Sequence, residues 1–259
     1  MNWRDPVLWQ VKFYRSLFLA LLIGLVYLQL GEDQESIRSR AGVMAFLAIG
    51  TGFTIAEDGI LIFHQTRLYY SRDLAVSLYD ASSFYIATLL VHLPSSTFFG
   101  FLQLTIAYWM VGLKEDAGAF FLFLLFQGAL FPVMISFGFF ISVATPNVTA
   151  ASAIAPTALS FFTMFGGTFL ADGDIPDWLI WAKWISPIRA VYSSCFLNEF
   201  EGTTWECDDD FFCLQTGDEI IEYYGFEDDN KWVNLGILLG EFAFCAVMAY
   251  AVLVYKESK

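Results

Sequence analysis

Residues 165–202 read FGGTFLADGDIPDWLIWAKWISPIRAVYSSCFLNEFEG. The stretch is too aromatic for an ordinary surface loop. It is also too charged, and too interrupted by Pro176 and Pro187, to cross a bilayer. An apolar run able to span precedes it, and a tract rich in Asp and Glu follows it. Trp178, Trp181 and Trp184 recur every three residues, so one helical face can rest at the membrane–water interface, where Trp is favoured. These features predict a half-immersed helical element at one face of a membrane domain.

The rest of the chain agrees with that setting. Hydrophobic residues make up 57% of the 259 positions and charged residues 15%, against about 25% charged in soluble domains. The net charge of −14 is local. Residues 171–232 hold 15 acidic and three basic side chains, leaving the remainder close to neutral. No basic stripe exists to neutralise phosphates, which excludes nucleic acid as an expected partner. No cleavable signal pattern opens the chain, so the first span is expected to act as its own insertion signal. Internal repeats, low-complexity tracts and Gly/Ser linkers are absent.

Asp5-Pro6 is a helix start. Trp3, Val7, Val11, Tyr14 and Phe18 then recur at three- and four-residue spacing, with Arg4, Lys12 and Arg15 between them, predicting a surface-lying helix over residues 3–15. Six spans follow, at Ser16 to Leu30, Ala41 to Phe63, Phe84 to Gly112, Ala117 to Ala144, Asn147 to Leu170 and Val233 to Tyr255. The first is short and draws on Tyr14 and a snorkelling Arg15. The third, about 43 Å long, must tilt, kink at Pro94 or protrude. Six spans place both termini on one side. Lys and Arg are denser in the short segments of that side, which is therefore expected to be cytoplasmic. Residues 171–232 then lie outside or in a lumen, where Cys207 and Cys213 can pair. The sequon at Asn147 falls on the cytoplasmic side and is expected to stay unglycosylated.

Nothing in the sequence resembles a catalytic or metal centre. His64 and His92 lie in different segments, and no HExxH, GxSxG, CxxC or GxxxxGK[ST] pattern occurs. Ion-filter motifs are likewise not visible. Three acids fall within spans: Glu57, Asp58 and Glu241. The first two sit near the cytoplasmic interface, where Lys or Arg can pair with them. Glu241 lies deeper with no partner evident in the sequence, and folding, dimer contact and transport are all open to it. Residues 64–80, HQTRLYYSRDLAVSLYD, form an amphipathic helix candidate suited to docking.

Ordered motifs carry a resemblance over essentially the whole chain. They are RDPVLW (4–9), RAGV (40–43), YYSRDLAVSLYDASSFYIATLLVHLP (69–94), YWMVGL (108–113), FGGTFL (165–170), IPDWLIWAKWISPIRA (175–190), LNEFEG (197–202) and, after a Cys, TGDEIIEYYG (216–225). Together they resemble the transmembrane domain of the White/ABCG subfamily of ABC transporters, including its half-transporters. The resemblance implies an all-α membrane protein forming one domain over residues 1–259. It would have a connecting helix at 3–15, spans one to five within 16–170 and a cytoplasmic coupling helix at 67–79. A re-entrant element would follow in the outer region 171–232, before span six at 233–255.

Family positions lining a central path correspond to Phe46, Gly50, Phe53 and Thr54 on the second span and Pro156, Leu159, Ser160 and Thr163 on the fifth. Phe53 falls where drug exporters of the family place a substrate-stacking aromatic. The plug between inner and outer cavities corresponds to Thr168 and Phe169, with Thr168 replacing a bulky apolar residue. Coupling contacts correspond to Arg67, Arg72 and Asp73, where Asp73 shortens the family's acid.

The implied function is that of a permease domain moving a lipid, sterol or amphipathic compound by alternating access. No cofactor is expected on this chain, and ATP and Mg belong to an ATP-binding domain that these residues do not contain. The implied partners are that domain, a second transmembrane domain in a homo- or heterodimer, and membrane lipids. The plasma membrane or an endomembrane is the expected location. The other reading is a non-transporting dimer partner or regulator.

Overall fold

The computed structural model describes residues 6–31, 33–74, 80–167, 176–205 and 213–257, with residues 6, 68–74, 177 and 257 described by backbone alone. The described residues are helical apart from turns and one isolated antiparallel bridge, Thr204 with Thr216. Among the described residues nine α-helices occur in order: α1 Pro6–Val26, α2 Gln34–Leu74, α3 Ala81–Val111, α4 Ala117–Ala144, α5 Val148–Met164, α6 Ile180–Trp184, α7 Pro187–Phe200, α8 Gly217–Tyr223 and α9 Lys231–Glu257. Five of them (α1, α2, α3, α4 and α9) are long and apolar enough to cross a membrane, and α5 is a shorter apolar helix. Lipid leaves no water for unpaired backbone groups, so long apolar runs close their hydrogen bonds within helices.

The fifth of the expected spans is shorter than its sequence range. α5 ends at Met164, with Phe165 and Gly166 turning back on Phe161 and Thr163 carbonyls. The last residues of the expected span, 168–170, including Thr168 and Phe169, expected at an outer gate, lie outside the described residues.

Two boundaries differ from the sequence expectation. Residues 6–15 and the first span form one helix, because Lys12 and Arg15 turn inward onto Asp58 rather than marking a surface segment. Arg15 pairs within the protein, on Asp58. At the other end, α2 continues without a break through Arg67 to Leu74. No Gly or Pro interrupts residues 60–74, so nothing stops the helix as it leaves the apolar layer. At 1.5 Å per residue its 41 residues reach about 61 Å, roughly twice the hydrocarbon thickness.

α4 is the central helix, with α2, α9, α7, α3 and α5 all packed on it. Close approach to α2 depends on Gly59 and Gly138. A Cβ on Gly138 would lie 2.3 Å from the Ala56 carbonyl oxygen, and one on Gly59 would lie 2.8 Å from that of Ile135. Small residues at such crossings let backbones meet where lipid supplies no hydrophobic drive. Around this contact Phe63, Tyr85 and Phe139 form an aromatic cluster, with the Phe63 and Phe139 centroids 4.7 Å apart. At its far end α4 is tied to α9, where Lys256 Nζ donates to the Val143 and Ala144 carbonyls.

The stretch that opens on Phe165 divides into two unlike halves. The 3-10 turn Asp177–Leu179 and α6 leave Trp178, Trp181 and Trp184 exposed. Every residue of α7, by contrast, is buried. Pro187 stands at its first position and the Ser186 hydroxyl accepts from Arg189 N–H, a standard helix start.

Candidate functional site

α2 presents one open stripe. Gly42, Phe46, Gly50, Phe53, Thr54, Glu57 and Leu61 are exposed or half-buried, at three- and four-residue spacing. The other side of the helix, including Leu47, Thr51, Ile55 and Ala56, is buried. Phe46 is 50% exposed, and a Cβ on Gly42 or Gly50 would meet nothing within 4 Å. The helix is held in this rotation from its opposite side. Gly59 fits against α4, and Gly52 abuts Ile188 of α7 and Leu130 of α4. Of the four α2 residues singled out from the sequence, Phe46 and Gly50 are open in the isolated chain, Phe53 is half-buried against the core at the edge of the stripe, and Thr54 lies beside the small pocket shared with α1 and α3.

α5 packs beside α2. Ser160 is exposed, Pro156 and Thr163 are half-buried, and Leu159 is fully buried at 0% exposure. Leu159 thus faces the core. Thr54 donates to the Gly50 carbonyl at 2.7 Å, Ser160 to that of Pro156 at 2.7 Å and Thr163 to that of Leu159 at 2.9 Å. With their protons committed to their own helices, these hydroxyls offer acceptor oxygens but no free donor. The surface they leave is mainly carbon.

The C-terminal end of α5 is anchored to α7. The Ser186 hydroxyl donates to the Phe162 carbonyl at 2.7 Å. Gly167 turns with φ +80, and a Cβ there would lie 3.0 Å from Phe226 and 3.1 Å from Arg189. Arg189 stacks over Phe226 at 5.3 Å and reaches Asp229 at 3.4 Å.

At the other end of α2, Arg67 lies about 31 Å along the axis from Phe46. One uninterrupted helix thus joins the open stripe to the predicted coupling segment. Arg72 and Asp73 fall on the same helix, but their side chains, like residues 75–79, lie outside the described set.

Two buried charge clusters hold the frame. Arg15 grips both oxygens of Asp58, at 3.0 and 2.9 Å. Lys12 adds Asp58 at 3.4 Å and Ser96 at 3.3 Å, joining α1, α2 and α3. Glu57, the other acid near this end, is exposed. On the opposite side Arg40 pairs with Glu199, donates to the Leu30 and Gly31 carbonyls and lies over Trp205 at 5.5 Å. The Lys114 N–H also reaches Glu199, at 3.1 Å. Burial pushes the Glu199 carboxyl above its ordinary range, opposed by the Lys114 N–H and by Arg40. The Asp58 cluster was foreshadowed by Lys12 and Arg15 within an apolar stripe. The Arg40–Glu199 pair, 159 residues apart in sequence, has no local signal.

Trp205 N–H donates to the Gln215 carbonyl and Gly217 N–H to that of Thr203. The two ends of the segment holding Cys207 and Cys213 are thereby brought together. Cys207 lies outside the described residues, and Cys213 is not among the free thiols, which are Cys195 and Cys245.

The family described as ABC-2 type transporter matches residues 1–200. Among curated relatives, ABC transporter G family member 1 of Dictyostelium discoideum is 31% identical over 263 residues, covering 98% of this chain and 33% of that protein. ABC transporter G family member 23 of Arabidopsis thaliana is 26% identical over 259 residues, covering 99% and 41%. Member 4 of the same plant is 26% identical over 262 residues, covering 99% and 45%. The chain thus spans a third to somewhat under half the length of these relatives.

Proposed function

Because this chain belongs to the ABC-2 type transporter family, we propose that it is the membrane-spanning part of an exporter driven by ATP hydrolysis on a separate ATP-binding domain. Its cargo is a lipid, sterol or amphipathic compound. The observation that carries this reading is the open stripe of α2, with Phe46 and Phe53 beside glycines and self-bonded hydroxyls. A second transmembrane domain, in a homo- or heterodimer, would face that stripe and enclose a path between paired α2 and α5 helices. A path of carbon and aromatic surface with few free donors suits cargo that is mostly apolar.

In this reading both termini are cytoplasmic and residues 171–232 lie outside or in a lumen. The segment around Arg67, Arg72 and Asp73 meets the ATP-binding domain. Closure of that domain pushes the end of α2, and the continuous helix carries the displacement to the stripe. Thr168 and Phe169 then stand at the outward exit. Cys207 and Cys213 close the outer loop as a disulfide, which non-reducing peptide mapping would recover as one linked product.

The test is ATP-dependent efflux from vesicles holding this domain with its ATP-binding domain, using fluorescent sterol and phospholipid cargo. Phe53→Ala should lower flux several-fold while membrane insertion is kept. Arg72→Ala should lower flux and uncouple it from ATP hydrolysis. Unchanged flux in both variants would remove the proposed path and coupling roles.

A further inference from the structure

On the flank of α4 away from the open stripe lies a cavity of about 260 Å³. It is bounded by α4, the end of α5, the turn into α7 and the middle of α9. Phe137, Phe162, Ile185, Phe244 and Cys245 are among its walls, and Glu241 opens into it. Glu241 is the single carboxyl or basic group among the described residues that line it. Both Glu241 oxygens are buried, and no hydrogen-bond donor of the described residues reaches either one. This contrasts with Asp58, Glu199 and Asp229, each of which meets a cation.

An acid without a partner in an apolar wall of a membrane domain is costly, and such groups mark sites by default. The space beside it is far larger than one water needs. Its volume is near the lower end of the range for small-molecule pockets. Phe244 and Ile185 at its edge are exposed, so the cavity is open toward the surroundings of the chain. The mouth at Ile185 belongs to residues 171–232, which hold 15 acidic against three basic side chains. By composition that segment favours cationic over anionic partners.

We propose that this cavity binds a hydrophobic amine, with the ammonium on Glu241 and the apolar body against Phe137, Phe162 and Phe244. The site is separate from the α2 stripe and does not depend on the transport reading above. An ammonium supplies the donors that both oxygens lack, and the charge-assisted contact is strengthened where water is excluded.

The experiment uses the whole chain in phosphatidylcholine vesicles, with dodecylamine and 1-dodecanol as chain-matched probes. The readout is alkylation of Cys245, a free thiol in the cavity wall, by N-ethylmaleimide, followed by peptide mass spectrometry. Dodecylamine should protect Cys245 at roughly a tenth of the dodecanol concentration, after correction for bilayer partitioning. Glu241→Gln should abolish that preference. Equal protection by the two probes in the unaltered chain would overturn the proposal, as would a preference that survives in Glu241→Gln. Where that variant does not fold, a photoactivatable diazirine alkylamine on the unaltered chain decides the matter. Cross-links on 133–140 and 241–248, displaced by dodecylamine, support the site, and cross-links confined to other segments overturn it.

Discussion

Arg40 and Glu199 show how single side chains can join distant parts of a membrane domain. Arg40 sits near the start of α2, Glu199 near the end of α7, and their side chains are 8% and 4% exposed. Loop carbonyls 30 and 31 and the Lys114 N–H complete the coordination. Removing one member strands the other charge. Glu199→Ala is therefore expected to destabilise the domain by about 3–5 kcal/mol, whereas the double change Arg40→Met with Glu199→Met should recover much of that loss. Thermal unfolding in detergent, followed by size-exclusion chromatography, reads both variants. A double variant no better than the single one would show that the pair is needed for more than charge balance.

At the scale of elements, the fit of α2 onto α4 sets which way α2 faces. Gly138 and Gly59 allow the close approach, while Gly50, two to three turns away on the other side, touches nothing. Gly138→Ala must push a methyl into the Ala56 carbonyl, and overpacking of that kind costs about 1–3 kcal/mol. Gly50→Ala should stay within about 0.5 kcal/mol of the parent, as an open position does. Chemical unfolding of both variants separates the two cases, and an equal loss at both positions would contradict the packing described. The same helix shows what the sequence could and could not reveal. Its apolar run from Ala41 was legible, and residues 64–80 read in sequence as a separate amphipathic helix. Their fusion into one helix was not legible, because helix termination depends on caps and breakers, and none occurs between residues 60 and 74.

At the scale of the molecule, α4 separates two flanks. One carries the stripe of Phe46, Gly50, Phe53 and Thr54, and the other carries the Glu241 cavity. If a second transmembrane domain covers the first flank, Phe46→Cys should cross-link between copies under mild oxidation in a Cys245→Ser background. Val247→Cys, exposed on α9, should not. Non-reducing electrophoresis of the membrane-embedded protein reads the outcome. Dimers from Val247→Cys alone would move the pairing surface to the other flank.

The sequence by itself determined the material of this protein. Long apolar runs must become helices in lipid, and Trp residues three apart must share one helical face. The acidic stretch had to lie outside the apolar layer, because burying so many charges is prohibitive. The sequence also held the ordered motifs that match the family. Only the tertiary structure decided rotation and partnership. Helices that are apolar on every side carry no one-dimensional mark of which face meets a neighbour. The open face of α2, the inward turn of Lys12 and Arg15 onto Asp58, the seating of Leu159 in the core and the solitary carboxyl of Glu241 all follow from how separate helices close around α4. The opening stretch illustrates the division. Its exposed Trp face could be read from spacing, but the complete burial of α7 depends on neighbours that spacing does not name.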